Sequence, residues 1–261
     1  MTAGRRTLIV ACALVYVFLM LPLLVVFPIS LSSAPYMQFP PPGLSWQWYG
    51  RYLEDSQWID ATWRSLQVGT ATAILALLLG VPLAFALVRG RFFGRLTVDR
   101  LAMAPIIVPT IILSVAVYGL FARLKLIGEW YGLVLAHTVL ALPFVVLVMS
   151  AGLRDFDRAL EQAAEGLGAS RWQTLRRITL PILRPSLVSA GLLAFITSFD
   201  EVVVAIFLSG PNMTLPKKMF DNILMEIDPT IAAVSVMQIL LVTVVMVLIG
   251  RFGRGLSASA R

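Results

Sequence analysis

The sequence predicts an all-α polytopic membrane protein, and its composition and its hydropathy pattern both point to this fold class. Hydrophobic residues occupy 59% of the 261 positions and charged residues 13%, with a mean hydropathy of +0.86. Soluble domains have about 45–50% apolar and about 25% charged residues. Long uncharged stretches recur, each near the roughly 20 residues that a helix needs to cross a bilayer. The composition excludes an intrinsically disordered chain, and the single cysteine, Cys12, excludes a disulfide-rich scaffold.

Six apolar stretches of at least about 17 residues define the predicted membrane spans. We interpret the first as a retained helix and not a signal peptide, because its 22 residues exceed the apolar core of about 7 to 15 residues in a signal peptide. The fifth is interrupted by Asp200 and Glu201. We therefore predict a single transmembrane domain over 1–261, with spans at about 8–29, 66–88, 101–122, 130–152, 186–208 and 230–250 and a loop at 153–185.

The basic residues predict the orientation of these spans. With both termini in the cytoplasm, 15 of the 21 Lys and Arg residues lie on the cytoplasmic side and 6 lie in the outer loops. Short cytoplasmic loops of membrane proteins collect Lys and Arg, so this division predicts cytoplasmic N- and C-termini. The net charge of +7 is explained by this topology and by contact with membrane lipid, and it requires no nucleic-acid partner.

The first outer loop, 31–64, is rich in tryptophan and tyrosine. Amphipathic rings favour the membrane–water interface, so an interfacial belt that is partly helical around 45–55 is the favoured interpretation. A docking surface for an external partner is the alternative.

The loop at 153–185 is too long for a simple connection and too regular for disorder. Good helix formers fill 155–167, and Gly168 then ends or turns that helix. Ser170 followed by Gln173 is a capping-box pattern, which starts a second, basic helix. From physical chemistry alone, two interpretations stay open: a basic amphipathic element on anionic headgroups, or a docking site for a cytoplasmic protein.

The spacing of residues in this loop is distinctive. Gln162 is followed by Ala163 and Ala164, and the motif continues with Gly168, Ile178, Leu180 and Pro181. It resembles the EAA loop of permease subunits in binding-protein-dependent ABC importers, in which Glu-Ala-Ala is followed by three residues, Gly, nine residues, Ile, one residue and Leu-Pro. Gln162 stands where that family usually has Glu, and Glu161 lies just before it.

The resemblance extends over most of the chain. Residues 43–49 and 62–66 look like the family's first outer loop and its entry into the second span. The segments 198–201, 208–211 and 214–216 are similar to the second permease subunit of spermidine/putrescine importers. Related importers of other small cations, amino-acid derivatives and opines share much of this pattern.

The resemblance implies a multi-pass permease subunit in a bacterial inner membrane, and not an enzyme. It implies a heterodimer with a homologous permease, a periplasmic substrate-binding protein, and two ATP-binding subunits that hold ATP and Mg²⁺. This chain would bind no cofactor, and it has no Gly-Lys-Ser or Gly-Lys-Thr phosphate loop. The implied substrate is a polyamine or a related amino-acid-derived cation. The residues implied in coupling to the ATPase are Gln162, Ala163, Ala164, Gly168, Ala169, Ser170, Arg171 and Trp172.

Asp200 and Glu201 are carboxylates within a predicted span. Facing lipid, each would cost about 2.5–3.5 kcal/mol, so we expect them to face protein or a watery cavity. We predict a pathway for a cationic substrate, lined by Asp200 and flanked by Glu201, with Thr197 and Ser198 as nearby polar groups. The alternative is a helix break or an inter-subunit ion pair that does not contact the substrate.

His137 is the sole histidine and lies among apolar residues in the fourth predicted span. We expect a hydrogen-bonded packing role, with proton handling as the alternative. A stand-alone ion-coupled secondary transporter or channel that uses Asp200, Glu201 and His137 is the alternative function. Because the sequence contains no His-Glu-x-x-His and no Cys-x-x-Cys pattern, we predict neither a catalytic nor a metal site.

Overall fold

The computed structural model describes residues 3–225 and 227–257, and this part of the chain is built from helices. The only β-type pairing within these residues is an isolated antiparallel bridge between Ser32 and Leu44. The all-helical prediction is therefore confirmed for this part of the chain. The helices are α1 (Ala3–Ser30), α2 (Gln47–Glu54), α3 (Ser56–Arg89), α4 (Arg95–Ile107), α5 (Thr110–Leu124), α6 (Trp130–Asp155), α7 (Ala159–Gly166), α8 (Arg171–Thr174), α9 (Leu180–Ile182), α10 (Arg184–Phe199), α11 (Val203–Leu208), α12 (Leu215–Met225) and α13 (Thr230–Ser257), with a π-helical turn at Leu175–Thr179.

Several of these helices have the length and composition of membrane spans. Among the described residues, three qualify by themselves: Thr7–Ser30 within α1, α3 and α6. The number rises to five if each of two bent pairs is counted as one span. One pair is α4 and α5, bent by 106°, and the other joins Arg171–Ile182 to α10 at 68°. Thr230–Val244, within α13, is a shorter apolar helix.

The predicted third span, 101–122, is interrupted in the structure. α4 ends at Ile107, Val108 is extended with ψ 128°, and α5 follows Pro109. Proline lacks a backbone N–H and disfavours helical backbone in the residue before it, so the helix ends where this dipeptide begins. The break leaves non-helical backbone in the middle of an apolar segment.

The second predicted span also differs, because α3 begins at Ser56 and not near residue 66. Asp55 separates it from α2, and its carboxylate accepts the backbone N–H of Gln57 at 2.8 Å. This side chain satisfies a donor that the first turn of a helix leaves free, and it explains the early start. The helix expected around 45–55 is present as α2.

The chain divides into two compact units, and the first comprises 1–59 and 218–244. Its polar contacts hold α2 in place. The Trp48 indole N–H donates to the carbonyl of Ser32 at 2.7 Å, and the Tyr49 hydroxyl lies 2.9 Å from that of Ser30. Arg51 pairs with Asp228 at 3.0 Å. The tryptophan and tyrosine residues of this loop therefore contribute to packing as well as to its surface.

The second unit comprises 60–217 and 245–261, and its core lies where α3, α6 and α10 meet. Small side chains dominate this meeting point, and Ala76, Ala141 and Ala190 are fully buried. Gly80 is so close to α6 that a Cβ there would lie 2.6 Å from a methyl carbon of Val145. Small residues permit this close approach of helix backbones, which stabilises helix packing in membranes.

Candidate functional site

The acidic pair lies at a break between α10 and α11. α10 ends at Phe199, residues 200–202 lie outside the helices, and α11 begins at Val203. The Glu201 carboxylate accepts three backbone N–H groups, from Val203 at 3.0 Å, from Val204 at 2.7 Å and from Ala205 at 3.3 Å. These are donors that the first turn of a helix leaves unpaired, so the carboxylate replaces the missing helical acceptors. A helix break at the acidic pair was the alternative that the sequence left open, and the helix is broken there.

Glu201 also lines a cavity of about 400 Å³. The cavity lies against the break between α4 and α5, and Thr197 contributes a hydroxyl to its wall. That hydroxyl donates to the carbonyl of Leu193 at 2.8 Å, which fixes its orientation. Most of the remaining lining is apolar, including Leu140 and Phe144. The volume is within the range of small-molecule sites, and Glu201 supplies the ionisable group.

Asp200 is placed differently from Glu201. It does not line this cavity, and its residue is exposed on the surface of the chain. From the sequence we expected Asp200 to line the pathway and Glu201 to flank it; the structure instead puts Glu201 against the cavity. The reason is the helix break, because the constant 100° rotation between helical neighbours no longer applies once the chain leaves α10. A pathway role for either carboxylate stays a prediction.

Ser198 and His137 belong to a buried polar network. The Nδ1 atom of His137 lies 2.8 Å from the Ser198 Oγ, which in turn donates to the hydroxyl of Thr72 at 3.3 Å. His137 and Thr72 are fully buried. The three side chains join α6, α10 and α3, and the hydrogen-bonded role expected for His137 is confirmed. The Nε2 atom of His137 lies 3.7 Å from the Glu201 carboxylate, which places the network beside the cavity wall.

The loop at 153–185 folds as two helical segments around a glycine turn. α7 ends at Gly166, and Gly168 has φ +91°, a backbone conformation that L side chains rarely adopt. The Ser170 hydroxyl accepts the N–H of Gln173 at 3.3 Å, and the Gln173 side chain accepts the N–H of Ser170 at 2.9 Å. The predicted capping box is therefore confirmed, and the chain turns sharply between α7 and α8.

Most of the residues predicted to couple to an ATPase are exposed around this turn. Ala164 and Ala169 are half-buried. Leu167, which the sequence motif did not single out, is 92% exposed, and Trp172 is 66% exposed. Large apolar side chains this exposed are typical of a surface that a partner covers. We call the following exposed set the loop surface: Gln162, Ala163, Leu167, Gly168, Ser170, Arg171 and Trp172.

Residues 76–258 match the model of a protein family described as binding-protein-dependent transport system inner membrane component. This range contains both the loop surface and the break at Glu201. The chain belongs to this family. It is accordingly a transport component and not an enzyme, and the family resemblance drawn from the EAA-type loop is confirmed.

Individual permeases of this family are similar over most of their length. The spermidine/putrescine transport system permease protein PotC of Haemophilus influenzae is 32% identical over 90% of this chain and 91% of its own. The putrescine transport system permease protein PotI of Escherichia coli is 35% identical over 87% of this chain and 83% of its own. The molybdate/tungstate transport system permease protein WtpB of Thermococcus kodakarensis is 30% identical over 70% of this chain and 75% of its own.

Solved structures show the same fold. A bacterial ABC transporter that imports alginate superposes with a TM-score of 0.74 at 21% identity, covering 97% of this chain and 98% of that one. The methionine transporter MetNI in inward-facing conformations gives 0.65 at 22% identity, covering 76% of this permease and 95% of that chain. The helical architecture of this permease is thus that of ABC importer permeases.

Proposed function

We propose that this chain is one of two permease subunits in an ATP-driven bacterial importer of polyamines, such as spermidine or putrescine, or of closely related amino-acid-derived cations. The similarity to PotC of Haemophilus influenzae, over 90% of this chain, carries the proposal. The family match favours this function over a stand-alone ion-coupled transporter or channel.

The proposed topology has six spans with both termini in the cytoplasm. The bent pair α4–α5 forms the third span, α10 and α11 together form the fifth, and α13 forms the sixth. The 15 basic residues on the inner side support this orientation. The arrangement puts α7 to α9 in the cytoplasm and α2 at the outer surface.

The proposed complex contains a homologous second permease, a periplasmic substrate-binding protein, and two ATP-binding subunits that hold ATP and Mg²⁺. The loop surface docks on an ATP-binding subunit, where Leu167 and Trp172 supply apolar contact and Arg171 supplies charge. Closure of the ATPase dimer moves the loop and switches the substrate path from outward to inward access.

The proposed substrate path runs past the break at Glu201. A carboxylate beside apolar walls attracts an ammonium group more strongly than it would in water, because the local dielectric constant is lower. Asp200 is exposed on a single chain, and a carboxylate facing lipid is unfavourable. We therefore assign it to the face shared with the second permease, where it would line the same path.

Reconstitution tests the proposed function. The chain is purified with its partner permease and both ATP-binding subunits, placed in proteoliposomes with the binding protein, and supplied with radiolabelled putrescine or spermidine. Import that requires ATP supports the proposal. Import driven by an ion gradient without ATP would support the secondary-transporter alternative. Thermal stabilisation of the binding protein by polyamines, amino acids or opines identifies the substrate.

A further inference from the structure

The cytoplasmic end of α3 is joined to the loop helix α7 by an ion pair. The Arg89 Nη1 lies 2.7 Å from one carboxylate oxygen of Glu161 and 2.9 Å from the other. The two residues are 72 positions apart in sequence. Their side chains are only 21% and 18% exposed, so water screens the pair weakly. An ion pair in this environment holds its partners more firmly than an exposed one.

Arg89 is also fixed by two aromatic rings. Its guanidinium carbon lies 5.0 Å from the ring centroid of Phe85, on α3, and 5.4 Å from that of Phe156, which follows α6. A guanidinium group near the face of a ring is attracted by the ring's quadrupole. Its Nε and Nη2 atoms are buried and make no hydrogen bond within the described residues. Nη1 is thus the guanidinium nitrogen that is hydrogen-bonded, and Glu161 is its partner.

Glu161 has a second partner on the far side of the glycine turn. Its carboxylate accepts a hydrogen bond from the hydroxyl of Thr179, which is fully buried at the end of the π-helical turn. One carboxylate thus connects three segments: the end of α3, the loop helix α7, and the turn that leads through α9 into α10. Glu165, on the same helix, is exposed.

We propose that the Arg89–Glu161 pair is the link through which movement of the loop surface is transmitted to α3 and α10. The inference rests on the proposed function, in which an ATP-binding subunit grips the exposed side of the loop. Glu161 directly precedes Gln162, the first residue of the loop surface, and its side chain is held by Arg89 and Thr179. The contact with Arg89 therefore lies next to the surface that the ATP-binding subunit would grip. Both members of the pair are positioning residues, because neither lines the cavity at Glu201.

The ratio of ATP hydrolysed to substrate imported tests this link. We expect Glu161→Gln, in the reconstituted complex, to retain ATP hydrolysis while raising this ratio about fivefold or more, the lower end of typical coupling between sites. Glu165→Gln removes the same charge from the exposed side of α7 and is the matched control, for which we expect an unchanged ratio. A residue with a structural role alone would lower the yield of complex without changing the ratio.

Substitutions of Arg89 supply a second measurement if Glu161→Gln assembles poorly. Lysine keeps the charge but lacks the planar guanidinium that contacts the rings of Phe85 and Phe156, so we expect Arg89→Lys to raise the ratio to a smaller extent. Arg91→Lys is the control, because Arg91 is exposed two residues further on. In the double variant of Glu161→Gln with Arg89→Lys, we expect the same ratio as in the more affected single variant, since both changes weaken one contact.

Several results would overturn the link. They are an unchanged ratio in both Glu161→Gln and Arg89→Lys, additive effects in the double variant, and failure of both single variants to assemble. The first two leave the proposed function intact, provided that the unmodified complex imports polyamine with ATP. An unmodified complex that imports nothing, or imports without ATP, overturns the proposed function itself.

Discussion

The imidazole Nδ1 of His137 lies 2.8 Å from the Ser198 hydroxyl oxygen, in the interior between α6 and α10. Ser198 is two residues before Asp200, so this contact fixes the end of α10 just before the chain breaks. The sole histidine of the sequence therefore secures the position of the acidic pair.

Removing this contact should destabilise the permease. We expect His137→Leu to lower the free energy of unfolding by about 1–3 kcal/mol, because it leaves a buried hydroxyl with fewer partners. Thermal unfolding of the complex in detergent measures the change. Leu135→Ala, on an exposed part of the same helix, is the control and should have a smaller effect. Equal melting temperatures for the two variants would contradict the structural role of His137.

Substitutions of the acidic pair test the substrate path. We expect Glu201→Gln to reduce ATP-dependent polyamine import about tenfold or more, since interactions of charged groups are worth about 1.5–3 kcal/mol. The single carbonyl oxygen of glutamine can accept the N–H groups of Val204 and Ala205 but not that of Val203 as well. We therefore expect the fold to persist with a small loss of stability, which melting temperatures will show.

Asp200→Asn tests the second carboxylate separately. We expect a smaller loss of import, because Asp200 lies outside the cavity of Glu201. Normal substrate-stimulated transport by Asp200→Asn removes Asp200 from the path. Normal transport by Glu201→Gln would show that the cavity is not part of the substrate path.

The glycine turn of the loop offers a matched pair of substitutions. A Cβ at Gly166 or at Gly168 would have no atom within 4 Å, but only Gly168, at φ +91°, requires the left-handed backbone. We expect Gly168→Ala to strain the turn by about 1–2 kcal/mol and to lower substrate-stimulated ATP hydrolysis, whereas Gly166→Ala should have little effect. The bulkier Gly168→Asp should uncouple hydrolysis from transport. If substrate-stimulated ATP hydrolysis and transport both survive in Gly168→Asp, the loop is not the coupling element.

The apolar part of the loop surface should contribute to binding of the ATP-binding subunit. We expect Leu167→Ala to weaken that binding by about fivefold or more, corresponding to about 1 kcal/mol for a residue central to an interface. Its side chain is 92% exposed, so the fold should be unaffected. Leu44→Ala is the control, because Leu44 is 75% exposed in the predicted outer loop. Equal affinities of the two variants, measured by titration of the ATP-binding subunit, would exclude this contact.

Labelling of introduced cysteines tests the orientation. In a Cys12→Ser background, we expect Tyr36→Cys, in the predicted outer loop, to react with a membrane-impermeant maleimide in spheroplasts. We expect Gly4→Cys to react only after permeabilisation, because the N-terminus is predicted to be cytoplasmic. The reverse pattern would invert the topology.

Local features of the fold could be predicted from the sequence. The all-helical class follows from composition, and the capping box of Ser170 and Gln173 follows from a spacing of three residues. Charge inside an apolar stretch marked the acidic pair, with a helix break as one of the two interpretations that the sequence left open. Each depends on neighbours within one or two helical turns, where intrinsic preferences decide the structure. The break at Val108 has a local cause as well, because Pro109 disfavours helical backbone in the residue before it. The size of the bend between α4 and α5 depends instead on the helices that pack around it.

Which carboxylate lines the cavity and which loop residue is anchored were decided by packing. Glu201, and not Asp200, lies against the cavity because the chain leaves its helix there, and side-chain directions after a break depend on the surrounding helices. Arg89 meets Glu161 across 72 residues because α3, α6 and the loop come together in three dimensions. The identity of the residues determined a helical permease of the binding-protein-dependent transport family. The direction of each critical side chain came from tertiary contacts, because the free energy of burying a charge depends on its partners and not on its position in the sequence.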